Sequence, residues 1–552
     1  MTVRKSGGAK ENVRRGFWVT ILLLMMTMAL AACGKSDEVT FRDPLVERCV
    51  REELGKTATD AVTKSECAKL KELTITSTKD VGLELNLLRL DVGIQNFVDL
   101  SDLQYFTGLR ELTIVPFDER LEYADSYVGW SAIKACKDLR KLTISVGKTY
   151  VEEKLGYKFL ADVLKELPKL ETLELGYEVP ERYQTYLKGE NKELTIDCEA
   201  EVEDAITYWV PIAIGMRDLE ELTGDEEDVI IRFEPGVEVD LSYFADFKNL
   251  KTLTLWGSIT YDAGELRKYE KDQLFHIKNV DALKDNKELF ALNVSGAYGD
   301  FDGIGELSQL KELSIVQCLV GEPEFLKKLP ELRELTFRLN YADEFPDYVT
   351  EKNLPNLAFL RANVMEFDDL SDVAKMKKLK MLSLKQAIGV TYRDEESVPT
   401  SEIAKCANLK YLELEQRNGA SLKPLEQLKN LEYLYVRSVE RMTGLSSLME
   451  LPNLYGVYVV TSNMDPSEED NKELVKASKN PTLSVFINSQ YTDQIGVLKM
   501  RLGKIAVRDF ALERLEGFKA CAEANVYTEG YDTLLFYFGA ESAEELEKLL
   551  EQ

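Results

Sequence analysis

The chain has 552 residues, 45% hydrophobic and 30% charged, with a formal net charge of −28. Such a composition supports a large buried core and argues against intrinsic disorder. The acidity opposes phosphate backbones and anionic headgroups, so it argues against nucleic-acid binding and against charge-driven adsorption to a membrane.

The amino terminus combines Arg4, Lys5, Lys10, Arg14 and Arg15 with an uncharged run from Gly16 to Ala32. A basic start followed by an apolar run of this length is the architecture of a secretory signal; a membrane span needs about 20 residues. "LAAC" at Leu30 to Cys33 resembles the lipobox of bacterial lipoproteins. The resemblance implies cleavage before Cys33 and a lipid on that residue, with residues 1–32 as signal peptide and 33–40 as tether. An uncleaved anchor is the alternative. Acyl chains contribute about 0.8 kcal/mol per buried methylene, enough for several chains to hold a soluble body at a membrane.

Residues 41–69 are expected to form a helical segment: Asp43 and Pro44 suit a helix start, and Leu45, Cys49, Val50 and Leu54 make an apolar stripe. The stretch "FRDPLVERCVREELGKTATDAVTKSECAKLKELTIT" resembles the cap that opens bacterial internalin-like repeat proteins.

From residue 70 to about 460 one pattern recurs: Leu, two variable residues, Leu, one variable residue, Leu or Ile. It appears as "LRELTI" at Leu109, "LKELSI" at Leu310, "LKMLSL" at Leu379, "LKYLEL" at Leu409 and "LEYLYV" at Leu431. Intervals of 22 separate Leu310 from Leu332, Leu357 from Leu379 and Leu409 from Leu431. These motifs resemble leucine-rich repeats, whose period lies in the 20–29 range. The expected fold is an α/β solenoid with a curved parallel sheet on the concave side. Apolar residues at every third position, such as Leu422, Leu425, Leu428 and Leu431, suit a tight helical or extended return on the convex side.

Two features depart from the family. Where many such repeats place a bonding Asn, this chain has Ala297, Cys318, Ala387 and Val439, with Asn340 a lone match. Residues 176–239 are irregular and acidic, and are expected to form a bulging insertion. After residue 460 the periodicity weakens, and 461–552 are expected to form a small α/β cap, including a helix with a capping box at Ser542 and Glu545.

Cys67, Cys136 and Cys406 each precede a repeat's first Leu by three residues, where other turns have Leu or Phe, so they substitute for core leucines. Cys49 and Cys67 share the capping segment and are a candidate disulfide; otherwise both pack as thiols. Cys198, Cys318 and Cys521 have no partner identifiable by sequence.

Catalytic chemistry has little to work with. His276 is the only histidine, which removes HExxH and two-histidine metal centres, and no GxSxG elbow occurs. No cofactor, metal or catalytic residue is expected.

Side chains alternate faces along a strand, so the third, fifth and seventh residues of each repeat should point onto the concave surface. In the second half these positions hold Phe359 and Arg361, Tyr411 and Glu413, Tyr433, Tyr435 and Arg437, then Tyr458. Tyr411, Tyr433, Tyr435 and Tyr458 would form one exposed patch, and Tyr and Arg dominate binding hot spots. The plainer explanation is that tyrosine suits strands. The reading is a non-enzymatic, lipid-anchored recognition or adhesion protein outside the cytoplasm of a bacterium, expected to be Gram-positive, binding a protein or glycan on the concave face. An envelope enzyme active in the insertion or tail, and a structural envelope component, are the alternatives.

Overall fold

The computed structural model describes residues 37–76, 97–115, 126–144, 157–175, 179, 181–198, 212–213, 222, 224–257, 270–342, 344–363, 367, 370–385, 400–416, 421–438, 444–448, 451–461, 484–489, 526–528, 542, 545 and 548. The signal segment, Cys33 and most of 461–552 lie outside these residues. Of the capping box expected in the tail, the described residues show one half: the Glu545 N–H donates to the Ser542 hydroxyl at 3.3 Å.

Each "LxxLxL" motif forms a short strand, and successive strands pair in parallel to give two solenoids. In the first, five strands stack in sequence order at Glu72–Thr76, Glu111–Val115, Lys141–Ile144, Thr172–Leu175 and Thr195–Asp197. In the second, thirteen strands run in sequence order from Ile212–Ala213 through Asp228–Phe233 to Val526–Thr528. The expected insertion at 176–239 is therefore the passage from one sheet to the next: Thr195–Asp197 ends the first, and Ile212–Ala213 begins the second. The second sheet also runs past 460, because Ser484–Ser489 and Val526–Thr528 add two further strands in register.

The convex limbs fold as the spacing of three implies. A 3-10 helix has three residues per turn and eclipses residues i and i+3, and Leu241–Phe244, Val280–Asp285, Glu324–Lys328 and Lys423–Gln427 are all 3-10 turns. Part of the convex side adds a second parallel sheet of five short strands, from Glu238–Asp240 to Tyr341–Ala342. Between the two layers the repeat leucines, including Leu412 and Leu434, are completely buried in one continuous core.

The lone Asn340 forms the bonds that its position requires. Its Oδ1 accepts from the Cys318 N–H at 2.9 Å and its Nδ2 donates to the Ile315 carbonyl at 2.8 Å. One turn earlier Cys318 takes the same place, its sulfur accepting from the Ala297 N–H at 3.4 Å. A buried thiol can accept and donate weakly, so cysteine is a serviceable substitute for the amide.

At the amino-terminal end, Pro44–Leu54 is a helix with Asp43 as N-cap, its carboxylate accepting from the Val46 N–H at 2.9 Å. Gly55 closes the helix in the left-handed region at φ 62°. Leu45, Val46, Cys49 and Val50 share a core with Leu73 and Ile75 of the first strand. Cys49 and Cys67 are both free and buried rather than bridged. Cys49 instead points its thiol at the Thr76 carbonyl, 3.7 Å away, so its place in the core is that of a small apolar side chain.

Burial pushes the thiols of Cys67, Cys136, Cys318 and Cys406 up to about 12 and that of Cys49 to about 11. Reactivity belongs to the thiolate, so these groups are held inert at neutral pH. A maleimide added to the native protein is expected to modify half-buried Cys198 and to spare these five until the chain is unfolded. Peptide mass mapping checks this directly.

Candidate recognition surface

The outward positions of the second sheet fall into three rows set by strand register. The parity expected from sequence holds: Leu412 and Leu434 enter the leucine core, and Tyr411 and Tyr433 lie on the opposite face. Their exposure does not follow. Phe359, Tyr411 and Tyr433 are 1%, 3% and 2% exposed, because this row packs against the first solenoid and belongs to that solenoid's hydrophobic cluster. Tyr411 and Tyr433 stack on each other, with centroids 5.4 Å apart and planes 12° from parallel.

Arg361 and Glu413 are buried as well, in an ion cluster on the middle row. Glu413 meets Lys385 Nζ at 2.6 Å and Arg361 at 3.5 Å, and the Ser383 hydroxyl donates to its second oxygen. Burial alone would raise the Glu413 carboxyl. The charges of Lys385 and Arg361, with the hydrogen bonds from Lys385 and Ser383, outweigh that and hold it to about 2. The sequence marked Arg361 and Glu413 as ligand contacts; the structure makes them each other's partners. Ser383 and Lys385, on the adjoining strand, complete the cluster that sequence reading left unassembled.

Three of the expected contacts remain accessible together. Tyr435 and Tyr458 are half-buried, directly opposite each other on adjacent strands, with rings 5.3 Å apart and 6° from parallel. Arg437, two residues after Tyr435 on the same face, is exposed. Burial, with the carboxylates of Glu413 and Glu415 nearby, pushes the Tyr435 phenol upward, so it remains a neutral donor. The register continues this row to Phe486 and Tyr527, giving aromatic residues at one position of four successive strands. The second pair was missed because the repeat motif fades there.

His276 stacks on Tyr298 at 4.6 Å and lies 3.6 Å from the Glu238 carboxylate, on the convex sheet away from this row. Among the described residues no group of three or more His, Cys, Asp or Glu side chains could hold a metal ion, and no helix is long and apolar enough to cross a membrane.

No family model and no curated protein matches the chain. Among solved structures it is similar to an internalin (inlF) from Listeria monocytogenes, at 16% identity and a TM-score of 0.29, over 78% of this chain and 94% of that one. It is also similar to a second internalin (inlC2) from Listeria monocytogenes, at 16% identity and a TM-score of 0.17, over 62% of this chain and 94% of that one.

Proposed function

We propose that this chain is a non-enzymatic recognition protein, tethered by a lipid on Cys33 to the outer face of a bacterial membrane, that binds a partner protein through the row marked by Tyr435, Tyr458 and Arg437. The observation that carries the reading is the stacked, partly accessible Tyr435–Tyr458 pair beside exposed Arg437. Such residues combine apolar area with polar tips and lose little conformational freedom on binding. Tyrosine rings, their hydroxyls and a guanidinium are the groups this row offers to a protein surface. The helix Pro44–Leu54 serves as the cap of the first solenoid in this reading.

The anchor is tested by intact mass of membrane-extracted protein, which is expected to begin at Cys33 and carry a diacylglyceryl group, with Cys33→Ala abolishing it. A chain that still begins at Met1 contradicts the anchor. For recognition, full-length protein is used as bait on intact cell surfaces beside a Tyr435→Ala, Arg437→Ala, Tyr458→Ala variant. A partner held by the parent and released by the variant supports the reading. Equal capture by both removes the row from the function.

A further inference from the structure

The first solenoid lies against one edge of the second sheet, and the contact has two unlike halves. Along the strands Asp228–Phe233 to Glu334–Arg338 it is ionic. Glu47 of the amino-terminal helix receives Lys311 at 2.8 Å and Arg333 at 2.6 Å, Arg48 meets Asp228 at 2.7 Å, and Glu52 meets Lys251 at 3.3 Å. Along the strands Phe359–Asn363 to Gly456–Thr461 it is mainly apolar, with polar bonds at its margin: the Gly129 N–H donates to Glu432 at 2.8 Å, Lys410 Nζ to the Ser101 hydroxyl at 2.9 Å and the Tyr455 hydroxyl to the Tyr127 carbonyl at 3.1 Å. Phe359, Met381, Tyr411, Tyr433 and Tyr455 enter the first solenoid's cluster, and Phe159 stacks on Tyr455 at 4.2 Å.

We propose that the first solenoid is a detachable cover for this aromatic row, latched by the ion pairs around Glu47, so that the amino-terminal helix is a clasp as well as a cap. Two observations support separation without unfolding. The leucines of the second solenoid form their own cluster, which includes no residue of the first, so undocking leaves that core intact. The row is large and apolar only under the apolar half: in the same register, the strands under the ionic half carry Thr252, Ala291, Glu312 and Glu334. The second sheet is thus built to match a specific cover. The ionic half is the part of the contact that opens when its charges are satisfied elsewhere. The inference is independent of what Tyr435, Arg437 and Tyr458 bind.

Hydroxyl-radical footprinting of the full chain reads the cover residue by residue. Met381 lies beneath it, and Met376 lies in the second solenoid's leucine core. Reversing the clasp with Glu47→Arg is expected to raise oxidation of Met381 by about fivefold or more while Met376 stays at the parent level, as for a shift in an open–closed population. Glu47→Gln should give a smaller rise in the same direction, and the swap Glu47→Arg with Arg333→Glu should restore protection. Unchanged Met381 in both single variants overturns the proposal, and so does a rise at Met376 in both, which would mean that the solenoid unfolds rather than uncovers.

Discussion

Replacing Glu413 by glutamine is expected to lower the free energy of unfolding by about 3–5 kcal/mol, among the largest effects of any single change in this chain. The side chain is 5% exposed, and its removal as an anion leaves the Arg361 and Lys385 cations, 1% and 6% exposed, without the carboxylate that binds both. Breaking one partner of a buried pair is costly because the other charge has been taken out of water. Replacing the set by apolar residues is often close to neutral. Glu413→Leu with Arg361→Met and Lys385→Met should therefore recover most of the loss in urea denaturation.

The same cluster sets part of the pH dependence. A carboxyl lowered from an ordinary 4.5 to about 2 contributes stability that is present above pH 4.5 and lost as pH falls towards 2, and Glu47 is lowered to the same value. Asp102 works in the opposite sense. Burial raises it from 3.8 to about 6, so its contribution is fullest below 3.8 and is lost as pH rises through 6. Stability is expected to be greatest between about pH 4.5 and 6, and a Glu413→Gln variant should lose less than the parent on acidification.

Leu434→Ala is expected to cost about 2–5 kcal/mol and to loosen the adjoining turns, because a fully buried leucine leaves both lost transfer energy and a cavity, and repeats stabilise one another through their neighbours. Tyr435→Ala, one residue away on the opposite face, should cost less, because Tyr435 is only half-buried where it packs on Tyr458 and beside the first solenoid's cluster. Equal losses at the two positions in denaturant titration would mean that Tyr435 is as much a core residue as Leu434.

That contrast also shows what the sequence carried. Period and parity are local properties of each strand, so the inward leucines and outward tyrosines could be read from "LKYLEL" and "LEYLYV". The burial of Tyr411 and Tyr433 is not local. It depends on Phe159, Tyr127 and their neighbours some 250 to 300 positions earlier, and no periodicity within a repeat encodes that contact. Arg361, Ser383, Lys385 and Glu413 likewise read as separate outward residues until register set them side by side. The sheet's continuation was obscured for a different reason. At the position that opens each repeat the chain has Thr482 and Glu523 instead of leucine, although Val485 and Val526 still pair with the strands before them.

The row at Tyr435, Arg437 and Tyr458 is expected to meet a protein. Its most direct test places a photo-crosslinking amino acid at position 437, and separately at exposed Lys327 on the convex side, in cells that produce the full chain. After irradiation, position 437 should yield a discrete polypeptide adduct that position 327 does not. No polypeptide adduct at 437, or the same adduct from both positions, would mean that this row does not bind a protein.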